Sequence, residues 1–245
     1  MLEEKERNLN LIEQKLKRAY GRRLLSAITY GSTLGDDYCV YSDYDILLIF
    51  KDIKFDDLKK LRKIKDDLRK DGILVDFNLH TYSELPKNRK KSFWHNNRGV
   101  YIQKELALYG RVLFGENYFQ DLILDPKEML LEAVRVISSL NYQMRKMIIN
   151  KTLNIENRIV VLKWCVYSVM YFLAANNIYP NGRAEALEIF DRKYHPPIKS
   201  RLFLDLKLQK PNKITNQDLE LAFDFLSYME NSIYQIYQKT ERAIK

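Results

Sequence analysis

Leu24-Leu-Ser-Ala-Ile-Thr-Tyr-Gly-Ser32, then ten residues, then Asp43-Tyr-Asp-Ile-Leu-Leu-Ile-Phe50 is the stretch whose reading decides the fold. Leu24 to Tyr30 and Tyr44 to Phe50 are short apolar runs of strand length, each bounded by turn-forming residues. Gly31 closes the first run and lets the backbone turn tightly, so that N–H groups of a following helix can approach a phosphate. Ser32 adds a hydroxyl donor at the same place. Asp43 and Asp45 lie two apart at the start of the second run, and strand geometry then expects both carboxylates on one face.

Working outward, Ile73 to His80 is a third strand-like run after the turn signal Asp71-Gly72, and Asp76 interrupts it. A lone carboxylate inside an apolar run is costly unless it is paired or holds a metal. Three carboxylates on one sheet face would form a hard, oxygen-rich site suited to Mg²⁺. Two such ions about 4 Å apart can activate an attacking oxygen and stabilise a leaving oxygen in phosphoryl displacement. Phe55 to Lys70 carries Leu58, Leu61, Ile64 and Leu68 at helical spacing, and Leu2 to Tyr20 carries Leu9, Ile12 and Leu16. Helix, strand, loop, strand, helix, strand describes a small α/β sheet domain.

After Asp125-Pro126 the strand signals stop. Pro126 suits the first position of a helix, and Leu130, Ala133, Val134, Ile137, Leu140 and Met144 share one helical face. Glu156 to Asn176 is apolar nearly all round, as a central bundle helix is. Shorter helices are expected near 183–194 and 197–209, on either side of His195-Pro196-Pro197. A last long helix opens at Thr215-Asn-Gln-Asp218, with Leu219, Ala222, Phe223, Leu226, Met229, Ile233 and Ile236 as its stripe. The expected class is α+β: a mixed-sheet domain over 1–120, then an all-α antiparallel bundle over 121–245.

The 245 residues carry a net charge of +9, which favours anionic partners, and 46% are apolar, which excludes a disordered chain. Cys39 and Cys165 are far apart with no CxxC, so neither a zinc site nor a disulfide scaffold is expected, and a cytoplasmic location is. Lys163 interrupts the most apolar stretch, Ile159 to Ala175, so no membrane association is expected.

At Gly31-Ser32, Asp43-Tyr-Asp45 and Asp76 the sequence resembles the DNA polymerase β-like nucleotidyltransferase superfamily, with the spacing of its minimal members. Tyr109-Gly-Arg-Val-Leu-Phe-Gly115 is similar to that group too. The helical half resembles, in texture, the bundle of antibiotic nucleotidyltransferases and HEPN domains, with a local echo at Gly182-Arg-Ala-Glu-Ala-Leu187. The resemblance implies transfer of a nucleoside monophosphate from Mg-NTP to an acceptor hydroxyl on a small molecule, protein or RNA. It implies that Asp43 and Asp45 hold two Mg²⁺ ions and that Asp76 holds the catalytic one while helping to deprotonate the acceptor. Gly31 and Ser32 would contact the β- and γ-phosphates, and Arg183 would reach the triphosphate from the second domain, a bidentate task suited to Arg.

Two other classes compete. A regulatory or antitoxin-like protein could keep the nucleotide fold and act by pairing with a partner, and in either class a homodimer is possible. The intact set Asp43, Asp45 and Asp76 favours the enzyme. A non-catalytic nucleic-acid module would rest on Lys87-Asn-Arg-Lys-Lys91 and the adjacent Ser92-Phe-Trp-His-Asn-Asn97, for which a solvated loop and a helix start are the simpler readings.

Overall fold

The computed structural model describes residues 2–34, 43–85, 99–208 and 213–244 and divides into two compact units, Met1–Leu124 and Asp125–Lys245. The basic run 87–91 and the aromatic tract 92–97 lie outside the described residues.

In the first unit, α1 (Leu2–Tyr20) leads into β1 (Leu24–Tyr30), followed by a 3-10 turn, Gly31–Thr33. β2 (Tyr44–Phe50), α2 (Phe55–Lys70) and β3 (Val75–Thr81) follow, then α3 (Val100–Tyr109) and β4 (Arg111–Phe114). The sheet order is β3-β2-β1-β4. β1 runs antiparallel to β2 and β4, and β2 runs parallel to β3, with α2 as the crossover. β1, β2 and α2 occupy the spans that periodicity predicts. β3 begins at Val75 rather than Ile73, and β4 is an additional strand.

Pleating sorts the strand residues. Tyr44, Ile46, Leu48 and Phe50 of β2 share one core with Leu9, Ile12 and Leu16 of α1 and Leu61, Ile64 and Leu68 of α2. Leu47 and Ile49 face the other way, into a second core with Ile28, Tyr30, Leu106 and Phe119. Gly115 closes β4 at φ +81°, where an added Cβ would lie 2.1 Å from the Leu25 carbonyl oxygen, so the chain passes here only without a side chain. Arg111 at the start of β4 makes a two-pronged pair with Glu6 of α1, one contact being 2.7 Å. That hydrogen bond holds the Glu6 carboxyl below its ordinary value.

The corner where α2 begins is closed by Asp57. Its carboxylate accepts the Lys54 backbone N–H at 2.8 Å and both Arg23 amino groups at 2.8 and 2.7 Å. Burial alone would push this carboxyl up, and the Lys54 N–H and Arg23 together outweigh it and hold it below the usual 3.8. The Tyr20 hydroxyl donates to the Asp57 carbonyl at 2.7 Å, and burial raises that hydroxyl to about 12.

In the second unit, α4 (Pro126–Ile149) starts with Pro126 at its first turn and the Asp125 carboxylate accepting the Lys127 N–H at 2.8 Å. α5 (Ile155–Ala175) packs against α4, α6 (Arg183–Tyr194), α7 (Arg201–Leu208) and α8 (Asn216–Ile244). By length and composition Glu156–Ala175 is long and apolar enough to cross a membrane, despite Lys163. Here Val161, Leu162, Cys165, Val169 and Leu173 of that helix are fully buried at the centre of the unit. α7 starts later than 197, because the Asp191 carboxylate caps the N–H groups of Ser200 and Arg201. On α8, Phe225 is buried and Phe223 only half-buried, a small rotation of the expected stripe.

Candidate active site

Register places the sequence-derived acids. Tyr30 of β1 pairs with Asp45 of β2, and Asp45 pairs with Asp76 of β3. Tyr30, Asp45 and Asp76 therefore form a row across three neighbouring strands, on the face opposite the α1/α2 core. Asp43 sits one residue before β2, so the loop rather than the pleat sets its direction. Its carbonyl accepts the Thr33 hydroxyl at 3.2 Å, which ties the end of the Gly31–Thr33 turn to the start of β2.

Gly31 lies against the row. Its φ is +73°, and an added Cβ would come within 2.7 Å of Asp45 Oδ2. Both constraints demand glycine, and they leave backbone, not side chain, beside the carboxylate. Ser32 lies in the same 3-10 turn, where the sequence anticipates a helix N-terminus. Residues 35–42 fall outside the described residues.

Asp76 differs from expectation. Its side chain is 47% exposed, with Lys65 Nζ 3.8 Å from Oδ1. The apolar neighbours in sequence do not bury it, because β3 is the edge strand of the described sheet. Asn78, two residues along the same face, donates from Nδ2 to the Tyr30 hydroxyl at 2.7 Å and to Asp76 Oδ2 at 3.4 Å. Period-two alternation along β3 already puts Asn78 beside Asp76, a signal in the sequence that the acid motif overshadows.

Among the described residues, no three Asp, Glu, His or Cys side chains gather into a ready-made ion site. Asp43, Asp45 and Asp76 are thus neighbours along the sheet edge rather than one tight cluster. The donor set still fits Mg²⁺. The ion is commonly held by one or two carboxylates and completes its shell with water and substrate phosphates. Asp45 and Asp76 supply two hard oxygen donors from adjacent register positions, and Gly31 keeps the space beside Asp45 free of side chain.

In the second unit, Arg183 opens α6 after Gly182. Its guanidinium lies over the Tyr167 ring, 5.1 Å from the centroid, and donates to the Tyr167 hydroxyl at 3.1 Å. Aromatic support of this kind holds the planar fork in one orientation.

Residues 9–101 match the nucleotidyltransferase domain family. No curated protein sequence matches the chain. Solved structures that match include the spectinomycin adenyltransferase from Enterococcus faecialis, crystallised with ATP and spectinomycin. The TM-score is 0.55 at 12% identity, and the alignment covers 92% of this chain and 99% of that one. That likeness is one of fold, and it extends through the helical half. The row of acids on the sheet face lies within residues 9–101, the stretch that matches the nucleotidyltransferase domain family, and the chain shares the fold of the adenyltransferase.

Proposed function

We propose that this protein transfers a nucleoside monophosphate from an NTP to an acceptor hydroxyl. The acceptor oxygen bonds to the α-phosphorus, the bond to the β-phosphate oxygen breaks, and pyrophosphate leaves. The observation that carries this reading is the register row in which Asp45 and Asp76 stand side by side with Gly31 backbone against Asp45. Asp43, Asp45 and Asp76 would hold two Mg²⁺ ions, which supply charge neutralisation along the triphosphate and at the attacking oxygen. Asp76 accepts the acceptor's proton, and its exposure suits contact with an incoming substrate. The Gly31 and Ser32 turn contacts the β- and γ-phosphates, and Arg183 contributes a cation to the nucleotide. ATP is the favoured NTP and a hydroxylated small molecule the favoured acceptor, on the strength of the adenyltransferase's ATP and spectinomycin complex. Transfer chemistry belongs to residues 1–120, acceptor recognition to 121–245, and the working compartment is the cytoplasm.

The test uses ATP labelled at the α-phosphorus, Mg²⁺, and spectinomycin alongside a panel of hydroxyl compounds. The intact chain should move label to at least one acceptor. Asp43→Asn with Asp45→Asn should lower that transfer at least about a thousandfold while the fold stays intact, since several kcal/mol of charge stabilisation are removed. Equal turnover by the double variant would overturn the assignment.

A further inference from the structure

We propose that Asn78, steadied by the Tyr30 hydroxyl, is a positioning residue of Asp76. The inference rests on the reading of Asp76 as an ion ligand. Asp76 is on an edge strand with a 47% exposed side chain, so packing does little to choose its rotamer. Lys65 is itself 51% exposed and stands 3.8 Å away, a contact too long and too solvated to fix a carboxylate. Asn78 is placed differently. One amide nitrogen reaches both Tyr30 Oη at 2.7 Å and Asp76 Oδ2 at 3.4 Å. Tyr30 is 3% exposed and rooted in the core formed by Ile28, Leu47 and Ile49, so its hydroxyl is a fixed point.

The link also spans strands that do not touch. Tyr30 is on β1 and Asn78 on β3, and β2 with Asp45 runs between them. A hydrogen bond across the top of β2 couples the two outer members of the row on the same side as Asp45. It gives Asp76 Oδ2 an amide donor that is itself anchored to β1. Carboxylates that ligate metals are commonly oriented by such outer hydrogen bonds, whose loss weakens ion binding about tenfold or more.

The experiment measures Mn²⁺ binding to the full chain by electron paramagnetic resonance, with a non-hydrolysable ATP analogue present. Thermal midpoints are taken without metal. Asp76→Asn should lose one Mn²⁺ site. Tyr30→Phe, which keeps the buried ring, and Asn78→Leu should each raise the Kd of that same site about tenfold. The double variant should do little more than Asn78→Leu alone, because the two act through one chain of hydrogen bonds. If Asn78→Leu fails to fold, Tyr30→Phe decides. Wild-type Mn²⁺ binding in Tyr30→Phe and Asn78→Leu, with the site lost in Asp76→Asn, would overturn the positioning role and leave the proposed function standing. Unchanged Mn²⁺ binding in Asp76→Asn would overturn both.

Discussion

Two aspartates of the first unit, Asp57 and Asp76, are solved by the fold in opposite ways. Asp57 is 2% exposed, and its carboxylate is matched by the Lys54 N–H and by both prongs of Arg23. Asp76 is half-exposed, with Lys65 3.8 Å from Oδ1 and the Asn78 amide 3.4 Å from Oδ2. The first carboxylate spends its acceptor capacity on the protein. The second stands half in solvent, where a molecule from outside can reach it. An acid buried and saturated is a fastener, and an acid exposed on a rigid strand beside another acid is placed where a ligand can reach both.

The contrast can be broken by mutation. Asp57→Asn should cost about 2 kcal/mol, because the Arg23 and Lys54 donors lose a buried charged acceptor. Chemical denaturation should show it, and Mn²⁺ binding in the presence of the ATP analogue should not change. The difference also has a pH signature. A carboxyl held below its ordinary value adds stability that is full above about pH 4 and fades as pH falls through the folded value. The gap between wild type and Asp57→Asn should therefore be constant near neutrality and shrink only in acid. A gap that grows on acidification would show that Asp57 is no fastener.

Gly31→Ala comes next. The positive φ and the 2.7 Å approach to Asp45 Oδ2 should cost about 1–2 kcal/mol, and the displaced carboxylate should weaken nucleotide-dependent ion binding as well. Loss of stability with ion binding intact would mean that the glycine serves the turn alone. Asp76→Asn belongs at the small end for stability, within about 0.5 kcal/mol of wild type, since it exchanges one half-exposed polar group for another. A large destabilisation there would place Asp76 in the same class as Asp57. Lys65→Gln should do least, because an exposed pair 3.8 Å long contributes little, and the effect should vanish in high salt.

Much of this was legible in the order of residues. The seven-residue span of β2 and the sixteen of α2 follow from apolar spacing and turn signals alone, because long, strongly periodic segments have few alternatives. β4 was not legible. Four residues between Gly110 and Gly115 are too few to show alternation, and their partner β1 lies far back in the chain. The exposure of Asp76 is hidden in the sequence for a related reason. Ile73, Leu74, Val75 and Phe77 read as a buried run, and only the strand order reveals that β3 is an edge. The acids themselves were easy to find, since carboxylates stand out among apolar neighbours. Alternation along β3 puts Asn78 beside Asp76, but its link to Tyr30 is not legible, because nothing in a list of residues says that a hydroxyl and an amide will meet across an intervening strand.

The parallel pairing of β2 with β3 has a numerical consequence. Between Asp45 and Asp76 the chain leaves the sheet, travels through α2, turns at Asp71 and Gly72, and returns in register, with the Tyr44 N–H bonded to the Leu74 carbonyl at 2.8 Å. Side chains alternate faces along a strand, so what the crossover fixes is parity. One residue inserted between Gly72 and Val75, if the strand pairing shifts to absorb it, exchanges the faces of all β3 residues: Asp76, Asn78 and His80 would turn toward the helices, and Val75, Phe77 and Leu79 toward the site. Two residues inserted there restore the faces. Odd and even changes in this short turn are thus different kinds of event, and the length of the turn decides whether the two acids share a face.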